Sequence, residues 1–406
     1  MFLILSPLII ITFYLIFKKL FFFKEVPHKT NNKHFFTKNI LIINSEKKFG
    51  GGEVYTLKLY KSLINNGFGA KILVVNNSTL EKKLTEQQLP YYTYNQFSIY
   101  KNLIQPGLYF AIYKICKKNK INIIHCNIHR ETLPAKKIAK KYPVKIVLTR
   151  HNPQIPKTKY FKNLDGFIGV NPQIAEIGTN KKFNIKENIF IPPIYDEEKF
   201  LNFKPTDTKE NFFKKNFNLK LQNWPVLCMV ANLTQNINHK NHPLLLKALA
   251  KLINEKNIKV NTLLIGDGPK KSELIIQTKK LNIEKYVHFL GFTDKVVEIL
   301  YHSDINILTS KEEAFGICLI EAALMKKPLI GSNKNGIENI IKDQQTGLLF
   351  ENDNLESLVE KIEILIKNKN LQQQLGNNAY EYVMNNFSTK LSIQKIENFY
   401  ETIINT

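Results

Sequence analysis

The sequence predicts an α/β protein: two doubly wound units in tandem, with an apolar helix in front of them. Three observations carry this reading. Short β-branched runs alternate with helical spacing twice over, a polar lysine-rich stretch at residues 201–223 separates the two series, and residues 2–17 form an uncharged, almost wholly apolar run. Alternating β and α segments imply a parallel sheet covered on both faces. A chain of 406 residues has room for two cores, since domains run to about 150 residues. The 44% hydrophobic content, with 27 Phe and 17 Tyr, excludes a disordered basic tail. Only 17 Gly and 16 Pro exclude a collagen-like or linker-dominated chain. Cys116, Cys126, Cys228 and Cys318 are far apart and form no CxxC pair. That excludes a disulfide scaffold and a standard zinc site, and fits a reducing compartment.

The elements follow in order. The run at residues 2–17 is followed by Lys18, Lys19, three Phe and Lys24. It is a little short of the roughly 20 residues of a bilayer span, but flanking lysines can snorkel. No Lys or Arg precedes Lys18 and no Ala precedes Ala70, which disfavours a cleavable signal peptide. Residues 1–24 are therefore expected to be an uncleaved membrane anchor, spanning or lying in the interface. Positive charge on the C-terminal flank puts the bulk of the chain in the cytoplasm. Residues 25–38 read as a polar linker. The first unit, residues 39–200, has strand patterns at 39–44, 70–75, 121–125, 145–148 and 166–170. A helical pattern through Val54, Leu57, Leu59, Leu63 and Ile64 closes at Gly67. The second unit, residues 201–387, has strand patterns at 225–230, 262–265, 286–290, 305–308, 328–330 and 347–350, with helices at 242–253, 270–281, 316–325 and 355–366. The stretch 391–404 has helical spacing. Ligands in such folds bind at the C-terminal ends of strands, so the cleft between the units is the expected site.

The net charge of +24 is uneven. Residues 1–38 carry +5, residues 39–200 carry 26 basic and 11 acidic side chains, and residues 201–406 carry 26 and 22. Codon bias accounts for abundant Lys but not for this imbalance, which points the first half toward something anionic: a membrane surface, a phospholipid or a nucleic acid. Arg130 and Arg150 are the only arginines.

The strongest local signal is Glu313-Ala-Phe-Gly-Ile-Cys-Leu-Ile-Glu321, which follows the strand pattern at 305–308. Gly316 opens a helix whose free amides suit a phosphate. Glu321, about a turn and a half on, could accept hydrogen bonds from a ribose diol. Gly50, Gly51 and Gly52 follow the first strand pattern and would let backbone approach a ligand, although a tight strand-to-helix turn needs glycine without any ligand. Neither this loop nor Gly266-Asp-Gly268 is a dinucleotide fingerprint, because Tyr55 and Lys271 stand where the third small residue belongs. Lys240 could neutralise a diphosphate. His125, Asn127 and His151 stand at strand ends, where a histidine serves structure as often as chemistry.

Together these residues resemble the GT-B-fold retaining glycosyltransferases of the glycosyltransferase family 4 (group 1) type. The likeness covers residues 39–406. It rests on Glu313, Phe315, Gly316 and Glu321 in a Glu-x7-Glu pattern, the Gly50–Glu53 loop, the Gly266–Pro269 turn, Leu290-Gly291-Phe292, Gly336-Ile-Glu338 and Thr346–Leu349. The resemblance implies two Rossmann-like domains, the second binding a nucleotide sugar as co-substrate and the first binding the acceptor. It implies that Glu321 holds the ribose, that Glu313 contacts the donor sugar, and that amides of Phe315, Gly316, Ile317 and Cys318 hold sugar and phosphate. Gly51 and Gly52 would approach the diphosphate, Gly266 would flank the donor, and Gly291 and Phe292 would lie near the base. His125 would serve catalysis, with Asn127 and His151 on the acceptor side, and residues 388–406 would return to the first domain. One departure is clear: Lys240 matches the lysine of the family's Arg-Lys pair, but Asn232 occupies the arginine position. No Asp-x-Asp occurs, so catalysis without a metal or cofactor is expected.

The expected function is transfer of a sugar to an envelope glycan or glycolipid at the cytoplasmic membrane face, with configuration retained. The partners are then a nucleotide-sugar donor, that acceptor and the membrane, and no nucleic acid. A nucleotide-sugar 2-epimerase of the same fold is one alternative. A basic membrane- or nucleic-acid-binding scaffold is another, supported by charge alone, since no zinc pattern or RNA-binding aromatic motif occurs.

Overall fold

The computed structural model of the chain describes residues 22–27, 38–48, 50–96, 106–152, 154, 157–234 and 237–406. The chain divides into two compact units, Met1–Tyr195 with Ser392–Thr406, and Asp196–Leu391.

The first unit holds eight strands among the described residues: β1 (Phe23–Val26), β2 (Ile40–Asn44), β3 (Lys71–Val75), β4 (Tyr91–Tyr94), β5 (Ile123–Cys126), β6 (Lys145–Arg150), β7 (Gly166–Gly169) and β8 (Glu187–Phe190). They form one sheet in the order β1-β4-β3-β2-β5-β6-β7-β8. Every neighbouring pair is parallel except β1, which runs antiparallel to β4 with Phe23 opposite Tyr94. Helix α1 (Gly51–Asn65) begins where Glu53 turns back to accept the Gly50 amide at 2.8 Å, and it stops at Gly67 with φ +79°. Helix α2 (Thr79–Glu86) is capped by Ser78, which accepts from the Glu81 amide at 3.1 Å. Helices α3 (Pro106–Lys118) and α4 (Thr132–Ala139) pack against each other.

Strand alternation sorts the two faces. Ile40, Ile42, Ile72, Val74, Ile123 and Val147 meet α1, α2 and the C-terminal helix Thr389–Asn405, which contributes Ile396, Phe399, Tyr400 and Ile403. Leu41, Ile43, Leu73, Ile124 and Cys126 point to the opposite face and are all buried. In this first core His125 is fully buried. Its Nδ1 pairs with the Tyr400 hydroxyl and its Nε2 with Thr149 Oγ1 at 2.7 Å, and Thr149 in turn meets the Tyr55 hydroxyl at 3.3 Å.

The second unit is a six-stranded parallel sheet: β9 (Val226–Val230), β10 (Asn261–Ile265), β11 (Val287–Gly291), β12 (Ile305–Leu308), β13 (Leu329–Ser332) and β14 (Leu348–Phe350), in the order β11-β10-β9-β12-β13-β14. Here glycine is a packing requirement at two positions of the turn after β10. A Cβ on Gly266 would lie 2.2 Å from the Ala231 carbonyl oxygen, and one on Gly268 2.1 Å from that of Leu233. The loops after β9 and β10 therefore touch backbone to backbone, joined by Leu233 N donating to Asp267 O at 3.0 Å.

Several expectations change. Phe23–Val26, assigned to the end of the anchor and the start of the linker, form the edge strand β1, because β4 leaves an open row of backbone groups beside it. Residues 2–21, with most of the expected anchor, lie outside the described residues. Among the described residues no helix is long and apolar enough to cross a membrane. The polar stretch 201–223 is not a bare connection. It contains α6 (Lys209–Phe217), whose Phe212 and Phe213 are buried and stack around His302. The short helix before it, α5 (Glu197–Leu201), joins the second unit through Lys199, which donates to the Asp294 carbonyl at 3.0 Å. That puts the boundary at Tyr195 rather than at residue 200. Strands β4 and β8 have no counterpart in the sequence reading.

The His125 pairing gives a direct test. Tyr400→Phe leaves a buried imidazole nitrogen without a partner and is expected to cost about 1–3 kcal/mol. A urea denaturation midpoint equal to that of the parent chain would show that the bond contributes nothing.

Candidate active site

In each sheet the strand order reverses once, and side chains gather at the C-terminal edge beside that reversal. In the second unit the reversal lies between β9 and β12. Lys240 follows β9 and Glu313 follows β12, and the Lys240 ammonium donates to Glu313 Oε2 at 2.5 Å. Both side chains are largely shielded. The pair is held by its surroundings. Thr309 Oγ1 donates to the Lys240 carbonyl at 2.9 Å, the Lys311 amide donates to the His239 carbonyl at 3.0 Å, and the Ser332 hydroxyl donates to the Ser310 carbonyl at 2.6 Å. Gly336 N donates to the Glu313 carbonyl at 3.1 Å. Three strand ends thus converge on the 309–316 loop.

That loop ends at Gly316, whose φ of +93° is the left-handed conformation that glycine adopts most easily. It is the N-cap of α7 (Ile317–Leu324). The first helical amides, Ile317 and Cys318 among them, have no partner within the helix and favour an anion. Glu321 lies farther along α7 and is partly exposed; burial pushes its carboxyl up to about 7, with nearby Lys199 opposing and Asp196 adding. Burial also lifts the Cys318 thiol to about 12, so it is not a thiolate. The Phe315 side chain is buried edge-on to Phe387 at 5.3 Å, which leaves only its backbone for a ligand. Gly291 has φ +73° and accepts the Gly266 amide at 2.9 Å, while Phe292 next to it is 85% exposed. Asn232 is exposed. Gly266 is explained by the close approach to Ala231, and the fold alone demands it.

In the first unit the reversal lies between β2 and β5. Here the fold does not demand glycine: a Cβ on Gly51 would meet nothing within 4 Å, and one on Gly52 only His151 Cδ2 at 3.9 Å. His151 lies edge-on to Tyr55 at 4.8 Å and its Nε2 is buried with no hydrogen-bond partner. Burial first, and then Arg150, hold its pKa down at about 4, so it is neutral. Asn127 donates to the Ile43 carbonyl at 3.0 Å and its Oδ1 is buried without a partner.

The expected catalytic role of His125 is corrected. It is fully buried, both ring nitrogens are occupied, and burial drops its pKa to about 3. It clamps the C-terminal helix to the sheet and has no face open to a substrate.

Sequence reasoning missed Glu131. It is fully buried and accepts from the amides of Ser45 at 2.6 Å, Asn127 at 2.9 Å and Ile128 at 3.0 Å, tying the loops after β2 and β5 together. Burial raises its carboxyl to about 7 against these hydrogen bonds. Its only local signal is a Glu three residues after Ile128, at the spacing of a capping box with the wrong residue at the cap.

Among the described residues no group of three or more His, Cys, Asp or Glu is placed to hold a metal ion. Residues 208–382 match the family described as Glycosyl transferases group 1, and residues 49–179 match Glycosyltransferase Family 4. The chain is similar to the N-acetyl-alpha-D-glucosaminyl L-malate synthase of Bacillus anthracis, at 25% identity over 324 residues, 77% of this chain and 83% of that one. It is similar to the UDP-Gal:alpha-D-GlcNAc-diphosphoundecaprenol alpha-1,3-galactosyltransferase of Escherichia coli, at 25% identity over 71% of this chain and 78% of that one. Among solved structures, a glycosyltransferase from Rickettsia africae ESF-5 matches with a TM-score of 0.79 at 24% identity, covering 90% of this chain and 98% of that chain. An Anabaena protein solved with UDP and glucose matches with a TM-score of 0.74 at 17% identity, covering 90% and 100%; both likenesses speak to the fold. The two family matches, one in each parallel-sheet unit, together with the relatives that span most of both, place the chain among the GT-B glycosyltransferases of group 1.

Proposed function

We propose that the chain transfers a sugar from a nucleotide-sugar donor to an envelope glycan or glycolipid, at the cytoplasmic face of a membrane, retaining configuration and using no metal or cofactor. The observation that carries the donor side is the Lys240–Glu313 pair at the β9/β12 reversal, with the amide end of α7 and Glu321 beyond it. The relatives support the acceptor class: the E. coli enzyme is named for a diphosphoundecaprenol-linked sugar, as is a Campylobacter jejuni relative at 27% identity over 247 residues.

The chemistry follows from charge. As the glycosidic bond breaks, the leaving diphosphate gains negative charge and the anomeric carbon becomes cationic. The Lys240 ammonium and the first amides of α7 stabilise that diphosphate. Glu313, released from Lys240 by the phosphate, accepts hydrogen bonds from sugar hydroxyls. Glu321 accepts them from the ribose. The acceptor hydroxyl arrives on the face the diphosphate leaves. With Asn232 in place of an arginine, Lys240 carries the side-chain charge on this loop.

A thermal-shift panel of UDP, GDP and ADP sugars on the chain in detergent is expected to show stabilisation by one nucleotide class; no shift with any of them would sink the donor assignment. Lys240→Met is expected to lower kcat by roughly 100- to 1000-fold with a smaller change in KM, and an equal kcat would remove Lys240 from the leaving-group role. Glu321 gives a pH test with a definite sign. Its ionised form is the acceptor, so donor affinity should fall as pH drops below about 7. Glu321→Gln should flatten that profile and Glu321→Ala should weaken donor binding about tenfold, the loss of one good hydrogen bond. Affinity unchanged in the alanine variant would detach Glu321 from the ribose.

A further inference from the structure

In the second unit one cation has two anionic claimants. Residues 231–240, which lead from β9 to the site, carry Lys240 as their only Lys, Arg, Asp or Glu. The neighbouring Lys311 is committed elsewhere: it pairs with Asp353 at 2.5 Å, which also accepts from Asn241 Nδ2 at 3.0 Å. Among the described residues Lys240 is the only cation paired with Glu313, and Glu313 the only carboxylate paired with Lys240. Their side chains keep 20% and 15% of their surface, so water serves neither well. Apart from Lys240, the Glu313 carboxylate has the Ser310 hydroxyl at 3.4 Å and the Ala314 amide at 3.2 Å. Both are long for hydrogen bonds to a carboxylate. The backbone on either side is fixed. Thr309 Oγ1 lies 2.9 Å from the Lys240 carbonyl oxygen and 3.1 Å from that of Asn241, and the Gly336 amide holds the Glu313 carbonyl. A change of partner is therefore a matter of side-chain rotation.

The proposed reaction brings two nucleotide species to this pair, and only one of them satisfies both members. A nucleotide sugar offers phosphate oxygens to the ammonium and hydroxyls to the carboxylate, so Lys240 and Glu313 part with a new partner each. The bare nucleoside diphosphate left by transfer offers only the phosphate. When the ammonium turns to it, a shielded carboxylate is left with two long hydrogen bonds, and a shielded charge without a partner is costly. On charge alone the product should be held more tightly than the donor, because its terminal phosphate has lost the sugar and gained a negative charge. Return of Glu313 to Lys240 opposes that.

We propose that Glu313 competes with the diphosphate for Lys240, so that the site favours the sugar-bearing nucleotide over the bare nucleoside diphosphate and the carboxylate helps to displace the latter once the sugar has gone. The proposal rests on the donor reading above and gives Glu313 a second task, discrimination and product release. No other charged side chain of residues 231–240 relieves the competition, since position 232 holds an uncharged Asn.

The test is a double-mutant cycle on the full chain in detergent, read by titration calorimetry with UDP, GDP and ADP and with the nucleotide sugar that the thermal-shift panel selects. The chains are the parent, Glu313→Gln, Lys240→Gln and the double variant, each confirmed folded by a cooperative melt. Glu313→Ala replaces the glutamine variant if that one fails to fold. Glu313→Gln is expected to tighten the bound nucleoside diphosphate by roughly tenfold, about the worth of one hydrogen bond to a charged group. The nucleotide sugar is expected not to gain, because its hydroxyls already satisfied the carboxylate. The gain for the diphosphate is expected to vanish when Lys240 is already Gln, since the competition acts through the ammonium. An unchanged or weaker diphosphate affinity in Glu313→Gln would overturn the proposal, as would an equal gain for the nucleotide sugar. So would the same gain with and without Lys240, which would mark plain repulsion between carboxylate and phosphate. Nucleotides that bind the parent but ignore Glu313→Gln would leave the donor site standing and remove this role. If no nucleotide binds any of the four chains, the donor reading and this proposal fall together.

Discussion

The His125 imidazole sits where the first unit's architecture is most constrained. The C-terminal helix enters from the sequence of the second unit and must be recognised by a sheet face made mostly of apolar side chains. Hydrophobic contact through Ile396, Phe399 and Ile403 supplies adhesion but little register. The hydrogen bond between Tyr400 and His125, continued to Thr149 and Tyr55, supplies the register, because a buried polar group out of place costs more than a shifted methyl. Burial holds the histidine neutral, so each ring nitrogen has one fixed role and the network is a clamp rather than a switch.

The same logic of strand ends places the sites. At each order reversal two neighbouring strands send their connections to opposite faces, leaving a gap that loops must line. In the second unit backbone contact between the Gly266–Gly268 turn and Ala231–Leu233 firms one wall, and the bonds from Thr309 and Ser332 firm the other. In the first unit Glu131 joins the walls by a single carboxylate shared among three amides. The glycines divide accordingly. Gly266 and Gly268 are there because another backbone occupies the space, whereas the surroundings of Gly51 and Gly52 would admit a side chain, so packing does not account for them.

Legibility in the sequence tracks how local each feature is. The Glu313–Glu321 loop and helix could be read because its parts lie within one turn-and-helix segment. The alternation of both units could be read because period two and period 3.6 are local patterns. His125 was misread because its partners, Thr149 and Tyr400, stand 24 and 275 positions away. Strand β1 was misread because Phe-Lys-Glu-Val has no strand signature of its own and is a strand only by virtue of the free edge of β4. Helix α6 was hidden by its lysines, although Phe212 and Phe213 alone bury it. The net charge was legible as a number and silent about its placement, which depends on which helices share a face.

The two arginines carry that last point further. A chain that uses Lys at nearly every basic position places both of its arginines at the C-terminal edge of the first unit. Arg130 reaches the Ser45 carbonyl and the Glu46 carboxylate, each at 3.3 Å, bracing the loop after β2 from the loop after β5. Arg150, at the end of β6, meets His129 Nδ1 at 3.3 Å and the Gln154 carbonyl. A lysine offers one point of charge on a flexible stem, while a planar guanidinium offers several donors in fixed directions and can hold two chain segments at once. Both residues are used in that second way. Where lysine predominates, the positions that keep arginine are those where direction matters more than charge, and here both lie beside the first unit's glycine loop and its unpartnered His151 and Asn127 atoms.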